Sequence, residues 1–350
     1  MKRYPIIVVL FIAVCLLFSC ASGRTREVVD EYTPYVSPWK TDVISQAKEK
    51  GTLNFWFMAS EGYNVASGSE AADKWGDSFL IVFPDGETML VDCGFAAMAP
   101  IITRTLQNYG ITRIDYFVLT HPHSDHAGSI AFTKDIKDSL LENFEIGKCY
   151  YTGVYNTEWS DPKKFENLMD SYGIPREVLQ EGDELDIGGV HLTIINPPEG
   201  SAGTSISVTQ EMNNSSLTIR MDYGEFSALL TGDLYESREM ELVKKYGDFL
   251  DVDLLKIPHH GHQTSTSEQF VRATSPEVAV GIGHVLLGTS KYSNLLKSGA
   301  KAVLMDIADG YIHVWSDGKN EIQWETSRTR TITNYEKYDK AYSILNQQSK

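Results

Sequence analysis

His121-Pro122-His123-Ser124-Asp125-His126 places three imidazoles and one carboxylate within six consecutive residues. The run follows the apolar stretch Ile114-Asp115-Tyr116-Phe117-Val118-Leu119-Thr120. Such a stretch predicts a buried strand that ends where the histidines begin, so its tip presents them from a loop. Neutral imidazole and carboxylate are what a borderline-soft divalent ion such as Zn²⁺ takes as ligands. The bland alternative is a polar surface loop rich in histidine. Three of the chain's nine histidines nevertheless fall here, at metal-ligand spacing.

Two further tips have the same character. Leu254-Leu255-Lys256-Ile257-Pro258 ends in His259-His260-Gly261-His262, and Phe226-Ser227-Ala228-Leu229-Leu230 runs into Thr231-Gly232-Asp233. Each apolar strand thus ends in a ligand-type residue. Lying side by side, the tips would converge on one sheet edge, where open α/β folds bind ligands.

These residues resemble the metallo-β-lactamase hydrolase superfamily. Within it, the chain is similar to the hydrolase domain of ComEC-type competence (DNA-uptake) proteins and their free-standing relatives. The resemblance is carried by Gly76-Asp77-Ser78, Met89-Leu90-Val91-Asp92-Cys93-Gly94, Leu119 to Gly128, Asn214-Ser215-Ser216-Leu217, Leu230-Thr231-Gly232-Asp233, Lys256-Ile257-Pro258-His259-His260-Gly261 and Trp315-Ser316-Asp317-Gly318. It implies an α/β (α+β) chain folded as a four-layer αββα metallo-β-lactamase sandwich, with two sheets face to face and helices outside.

The resemblance also implies two divalent metal ions, zinc or alternatively manganese. His121 and His123 would hold the first. Asp125, His126 and one histidine of the 259–260 pair would hold the second, and Asp233 would bridge them. His259 is expected as that ligand because it directly follows Pro258. His260 would then act on the substrate as a catalytic group beside Asp125, though the two roles can be exchanged. The implied chemistry is attack by a metal-bound hydroxide on phosphorus or a carbonyl carbon, with Asp125 orienting the nucleophile. Many members carry a further histidine before the bridging Asp. Here that interval holds only His191, in the amphipathic strand Gly189 to Ile194, and it reads as structural. Asn213 and Asn214 either touch substrate or cap a turn. Asp77 and Asp92 either brace the metal loop or cap strands. His262 and Thr264 either line the pocket or belong to a solvated loop. His284 is a weaker pocket candidate, and His313 reads as structural.

The expected fold has early strands near Leu53–Met58, Ser78–Phe83, Thr88–Val91 and Tyr116–Leu119. A second half would repeat the unit, with strands near His191–Ile195, Ser216–Met221, Ser227–Leu230, Asp253–Ile257, Glu277–Gly281, Ala302–Leu304 and Ile312–Trp315. Helices are expected near Met98–Tyr109, Phe165–Tyr172, Ser237–Lys245, Glu268–Ala273 and Lys291–Ser298. The stretch Ala59 to Trp75 and the aromatic loop Tyr151–Trp159 suggest binding loops or plain loop packing.

The N-terminus predicts a location. Lys2 and Arg3 precede an apolar run from Pro5 to Phe18, the pattern of a signal peptide over residues 1–19. The run falls short of the roughly 20 residues that a membrane span needs. Leu17-Phe18-Ser19-Cys20 resembles the lipobox of bacterial lipoproteins. It implies lipidation of Cys20 and a chain anchored to the membrane of the bacterial cell envelope, outside the cytoplasm; secretion is the alternative. Residues 20–50 would form a tether with a short helix over Asp42–Lys50. Residues 51–326 would form the hydrolase domain. Residues 327–350 would add a helical extension, with Tyr335, Tyr338, Tyr342 and Leu345 at helical spacing.

Four cysteines without a CxxC pattern give no support to a disulfide framework or a thiolate metal site. Cys93 reads as a small buried residue, and a Cys93–Cys149 bridge stays open. The net charge of −16 argues against tight binding of nucleic acid, whose phosphates attract basic patches. The expected function is a phosphodiesterase or phosphoesterase acting on a small or polymeric phosphoester. The alternatives are a nuclease linked to DNA uptake, a phosphorylcholine-esterase-like envelope hydrolase, and a non-catalytic binding lipoprotein.

Overall fold

A computed structural model describes residues 36–59, 76–133, 139–283 and 290–330. The expected signal peptide, Cys20, the whole insert after Ala59, His284 and the tyrosine-bearing extension lie outside the described residues.

Two sheets make the centre of the molecule. The first has eight strands, in the order Gln323–Thr326, Ile312–Ser316, Leu53–Phe57, Phe79–Val82, Thr88–Val91, Arg113–Leu119, Glu145–Tyr151, Arg176–Val178. The second has seven, in the order Ala302–Met305, Val278–Gly281, Leu254–Lys256, Phe226–Leu230, Thr218–Tyr223, Val190–Asn196, Glu184–Ile187. Successive strand residues point to opposite faces, and the apolar sequence uses both. Phe55, Phe57, Ile81, Met89 and Val118 meet Leu192, Ile194, Ile219, Met221 and Leu230 between the sheets. Trp56, Leu80, Leu90 and Phe117 pack outward with Met98, Ile102, Leu106, Ile130 and Phe165, on or beside the covering helices. Leu229, Leu255, Ala279 and Val303 do the same with Leu242, Phe270, Val271 and Leu295. These cores create the four αββα layers expected from the sequence.

Two expectations need correction. The sequence pattern assigns the strand at Ile312 to the second half, but it pairs with Leu53–Phe57 in the first sheet. Aromatic packing accounts for this: the His313 ring stacks on Trp56 at 3.5 Å and 7°, and its Nε2 lies 3.1 Å from Asn54 Oδ1. His313 is structural, as its pattern suggests. The N-terminal boundary also moves. The helix Val43–Lys50, capped by Asp42, buries Val43 and Ala47 in the first core, and Tyr109 Oη donates to Ser37 Oγ at 2.8 Å. Residues 37–50 therefore pack on the domain whose expected start is residue 51. The short helix itself was expected; its docking through Val43 and Ala47, with Trp39 and Ile44 beside them, was not.

Strand Arg113–Leu119 is parallel to both Thr88–Val91 and Glu145–Tyr151. In the second sheet, strands Phe226–Leu230, Leu254–Lys256 and Val278–Gly281 are mutually parallel. Their C-terminal ends supply the site. Among the described residues no helix is long and apolar enough to cross a membrane.

One close approach positions the site. Helix Ser124–Ala131 lies against the turn after Asp92, where Gly128 N donates to Gly94 O at 2.8 Å. A Cβ on Gly128 would sit 2.4 Å from Ala96 N and 2.6 Å from Gly94 O, both backbone atoms. Gly128→Ala is therefore expected to cost about 3 kcal/mol or more through overpacking. Chemical denaturation checks this; a stability equal to wild type would show that the turn can move aside.

Candidate metal centre

The first cluster is not wholly a loop. His121 follows strand Arg113–Leu119, and His123 is the N-cap of helix Ser124–Ala131. Asp125 and His126 lie in that helix's first turn. Asp233 comes from the end of Phe226–Leu230, and the 259–260 pair follows Leu254–Lys256. The tips therefore come from two facing sheets rather than from one edge. Leu217 N joins them by donating to Thr120 O at 2.8 Å.

Asp233 stands at the centre and is buried. Its Oδ2 lies 3.2 Å from His126 Nε2, 3.3 Å from His260 Nε2 and 3.9 Å from His121 Nε2. On one flank His121 Nε2 is 3.0 Å from His123 Nδ1. On the other, Asp125 Oδ2 is 3.5 Å from His260 Nε2 and 3.9 Å from His126 Nε2. Asp125, His126, Asp233 and His260 each offer an atom within 4.8 Å of the others.

This placement overturns one expectation. His260, not His259, turns its ring into the cluster. Both residues have left-handed backbone, with φ of 47° at His259 and 54° at His260, and the resulting turn carries His260 inward. His259 Nδ1 instead meets Thr264 Oγ1 at 2.6 Å, and its ring stacks on Tyr235 at 4.8 Å. Thr264 Oγ1 also meets His262 Nδ1 at 3.1 Å. Strand spacing gives no sign of such a turn, and this is why adjacency to Pro258 misleads.

Neighbouring groups fix the rings. His126 Nδ1 lies 2.7 Å from Asp92 Oδ2, and Asp92 also accepts from Thr120 N at 2.9 Å and Thr120 Oγ1 at 2.7 Å. Asp92 thus braces the loop. His121 Nδ1 is held between Thr120 Oγ1 at 3.1 Å and Ser216 Oγ at 3.3 Å. Ser216 Oγ also accepts from Asp233 N at 3.0 Å. His260 Nδ1 faces Ile282 O at 3.0 Å and Asp77 Oδ1 at 3.1 Å. Tying one ring nitrogen to an acceptor is how proteins aim the other at a metal.

The buried charges are mutually dependent. Burial opposes charge on His126 and His260, yet Asp233 raises both well above the ordinary imidazole range, helped by Asp92 and Asp77 respectively. Burial also opposes ionisation of Asp233, but His260 and His126 hold it well below the carboxylate range. His121 is pushed well down by burial and by His126, and burial brings His259 to about 4. The donor set suits divalent cations. It is rich in imidazole and carboxylate, and Asp233 Oδ1 is buried without a hydrogen-bond partner among the described residues.

The remaining candidates fall outside the cluster. His191 pairs with Asp186 at 3.0 Å on a half-exposed strand. Asn214 is a cap, its Oδ1 accepting from Tyr235 N at 3.0 Å. Asn213 is buried on helix Thr209–Asn214. Tyr151 and Trp159 are buried, and Asn156 Nδ2 ties their loop to Pro122 O at 2.8 Å, so packing accounts for it. Cys93 and Cys149 are free and buried, and burial pushes both thiols up. Lys256 and Ser216 join the surroundings of the centre without having stood out as individual residues of the sequence. Their register at strand ends was the available signal.

A family model described as the Metallo-beta-lactamase superfamily matches residues 76–284. Similar curated proteins include ComE operon protein 3 of Bacillus subtilis, 28% identical over 171 residues, or 49% of this chain and 20% of that one. Competence protein ComA of Neisseria gonorrhoeae is 30% identical over 216 residues, 61% of this chain and 26% of the relative. Recombination protein 2 of Haemophilus influenzae is 29% identical over 205 residues, 57% and 22% respectively. The chain thus spans only 20% to 26% of these relatives' length. Among solved structures it is similar to the metallo-beta-lactamase fold protein YhfI from Bacillus subtilis. That likeness has 17% identity and a TM-score of 0.43, over 72% of this chain and 96% of the other.

Proposed function

Because the chain belongs to the metallo-beta-lactamase superfamily, we propose that it is a metal-dependent phosphoester hydrolase, with a phosphodiester as favoured substrate. The observation that supports this is the convergence of buried histidine and aspartate atoms on Asp233. His121 and His123 would hold a first divalent ion, Asp125, His126 and His260 would hold a second, and Asp233 would serve both. Zinc suits imidazole and carboxylate best, and manganese is the alternative. When bound, a pair of such ions supplies a nucleophile at neutral pH and stabilises charge developing on a phosphoryl group. The chain's own residues orient this chemistry. Asp125 is more open than the shared aspartate, with its side chain 24% exposed against 2% for Asp233. It therefore faces substrate and accepts a hydrogen bond from the attacking water. His259 and Tyr235 form the neighbouring wall, where a substrate group would rest.

The N-terminal sequence supports a lipid on Cys20 that holds the domain at the bacterial cell envelope, outside the cytoplasm, with secretion as the alternative. A nuclease acting in DNA uptake is the second reading. Relatives named for competence and recombination favour it, and the net charge of −16 opposes it.

Elemental analysis of purified protein, paired with bis-p-nitrophenyl phosphate hydrolysis, tests the proposal. Close to two metal ions per chain and chelator-sensitive turnover are expected. One ion or none, with no turnover of any ester, would move the assignment to a binding lipoprotein.

A further inference from the structure

Among the described residues, Lys256 is the one lysine whose side chain is taken fully inside, at 1% exposure. A buried ammonium needs a partner close by. Its Nζ donates to Asp77 Oδ2 at 2.5 Å and to Ile257 O at 3.1 Å. Asp77 is equally buried and comes from the opposite sheet, just before Phe79–Val82. Gly76 sets it there, since a Cβ at that position would sit 2.8 Å from Asp125 O and from Phe95 N. Asp77 Oδ1 then lies 3.1 Å from His260 Nδ1.

We propose that Lys256 and Asp77 form a positioning pair for His260, fixing which ring nitrogen faces the metal centre. An ionised carboxylate and a carbonyl only accept hydrogen bonds. Ile282 O accepts from Nδ1, and the carboxylate of Asp77 beside it favours a proton on that same nitrogen. Nε2 is then the one with a lone pair, and it is the atom that faces Asp233 and Asp125. Lys256 occupies the other oxygen of Asp77 and prevents the carboxylate from turning away. Neither residue touches substrate. The inference rests on the reading of His260 as a metal ligand.

The test compares two charge-free pairs, because Lys256→Met alone would strand a buried carboxylate and could unfold the chain. Asp77→Leu/Lys256→Met removes the oxygen of residue 77 beside His260 Nδ1 and leaves Ile282 O alone there, whereas Asp77→Asn/Lys256→Gln keeps an amide oxygen in that place. Zinc titration by calorimetry on folded protein is expected to show affinity falling about 10- to 100-fold in the first pair and largely recovering in the second. Nitrogen-15 spectra of the metal-free proteins, recorded at a pH high enough to leave His260 neutral, are expected to show the proton on Nδ1 in wild type and the Nε2-protonated form gaining share in the Leu/Met pair. Unchanged affinity and tautomer in the Leu/Met pair, with only a lowered melting temperature, would reduce Lys256 and Asp77 to structural residues and overturn the proposal. Should wild type bind no divalent ion, the hydrolase reading fails, and the tautomer comparison still decides this one.

Discussion

His260→Ala is expected to lower metal affinity and phosphodiester turnover by at least about 100-fold, whereas His259→Ala stays within about tenfold of wild type. The floor follows from residues that merely orient a ligand, whose loss costs about 10- to 100-fold; losing the ligand itself should cost no less. His260 is buried, with Nε2 3.3 Å from Asp233 and 3.5 Å from Asp125. His259 stacks on Tyr235 and bonds Thr264, so its removal disturbs a wall of the site and leaves the cluster intact. Zinc titration and kcat/KM for bis-p-nitrophenyl phosphate on both variants measure the difference. If His259→Ala proved the more damaging, the ligand role would return to the residue nearest Pro258.

That contrast marks the limit of what sequence alone reveals here. Ligand-type residues at the ends of Arg113–Leu119, Phe226–Leu230 and Leu254–Lys256 were legible because three apolar runs each stop at an imidazole or a carboxylate. An ordinary strand end needs only a turn residue there. The layers were expected from the family resemblance, and central strands such as Leu53–Phe57 and Phe79–Val82, buried on both faces, fit them. The rotation of one ring relative to its neighbour was not. It depends on two successive left-handed residues, and histidine carries no obligatory mark of that conformation, as glycine does.

Long-range pairing was the second blind spot. Lys256 and Asp77 lie 179 residues apart, and either alone resembles an ordinary strand-end polar residue. Strand Ile312–Ser316 returns to the first sheet for a similar reason: its partner, Leu53–Phe57, stands at the far end of the domain. Asp92 fits bracing and capping equally well in the sequence. Its contact with His126 and its two bonds from Thr120 decide for bracing, and such contacts exist only once two strands lie side by side.

Asp233→Ala should have the largest effect of all on the centre. Asp233 is within 3.3 Å of both His126 and His260 and within 3.9 Å of His121, so among the described residues no other carboxylate serves both flanks. Removing one member of a buried charge set leaves the others uncompensated, at a cost of about 3–5 kcal/mol. If that cost falls on the metal-loaded state, hydrolysis drops by about 10²- to 10⁴-fold. Ions held in common should also be lost together, so the variant's metal content is expected to fall below one per chain rather than from two to one. Non-additivity gives a sharper check. Residues acting as one unit show losses that do not multiply, so Asp233→Ala/His126→Ala should be no worse than Asp233→Ala alone. Adding chelator should abolish wild-type turnover and leave the residual rate of the variant untouched. A variant that keeps wild-type metal content and rate would mean that Asp233 only packs the junction between the sheets, and that each flank binds its ion independently.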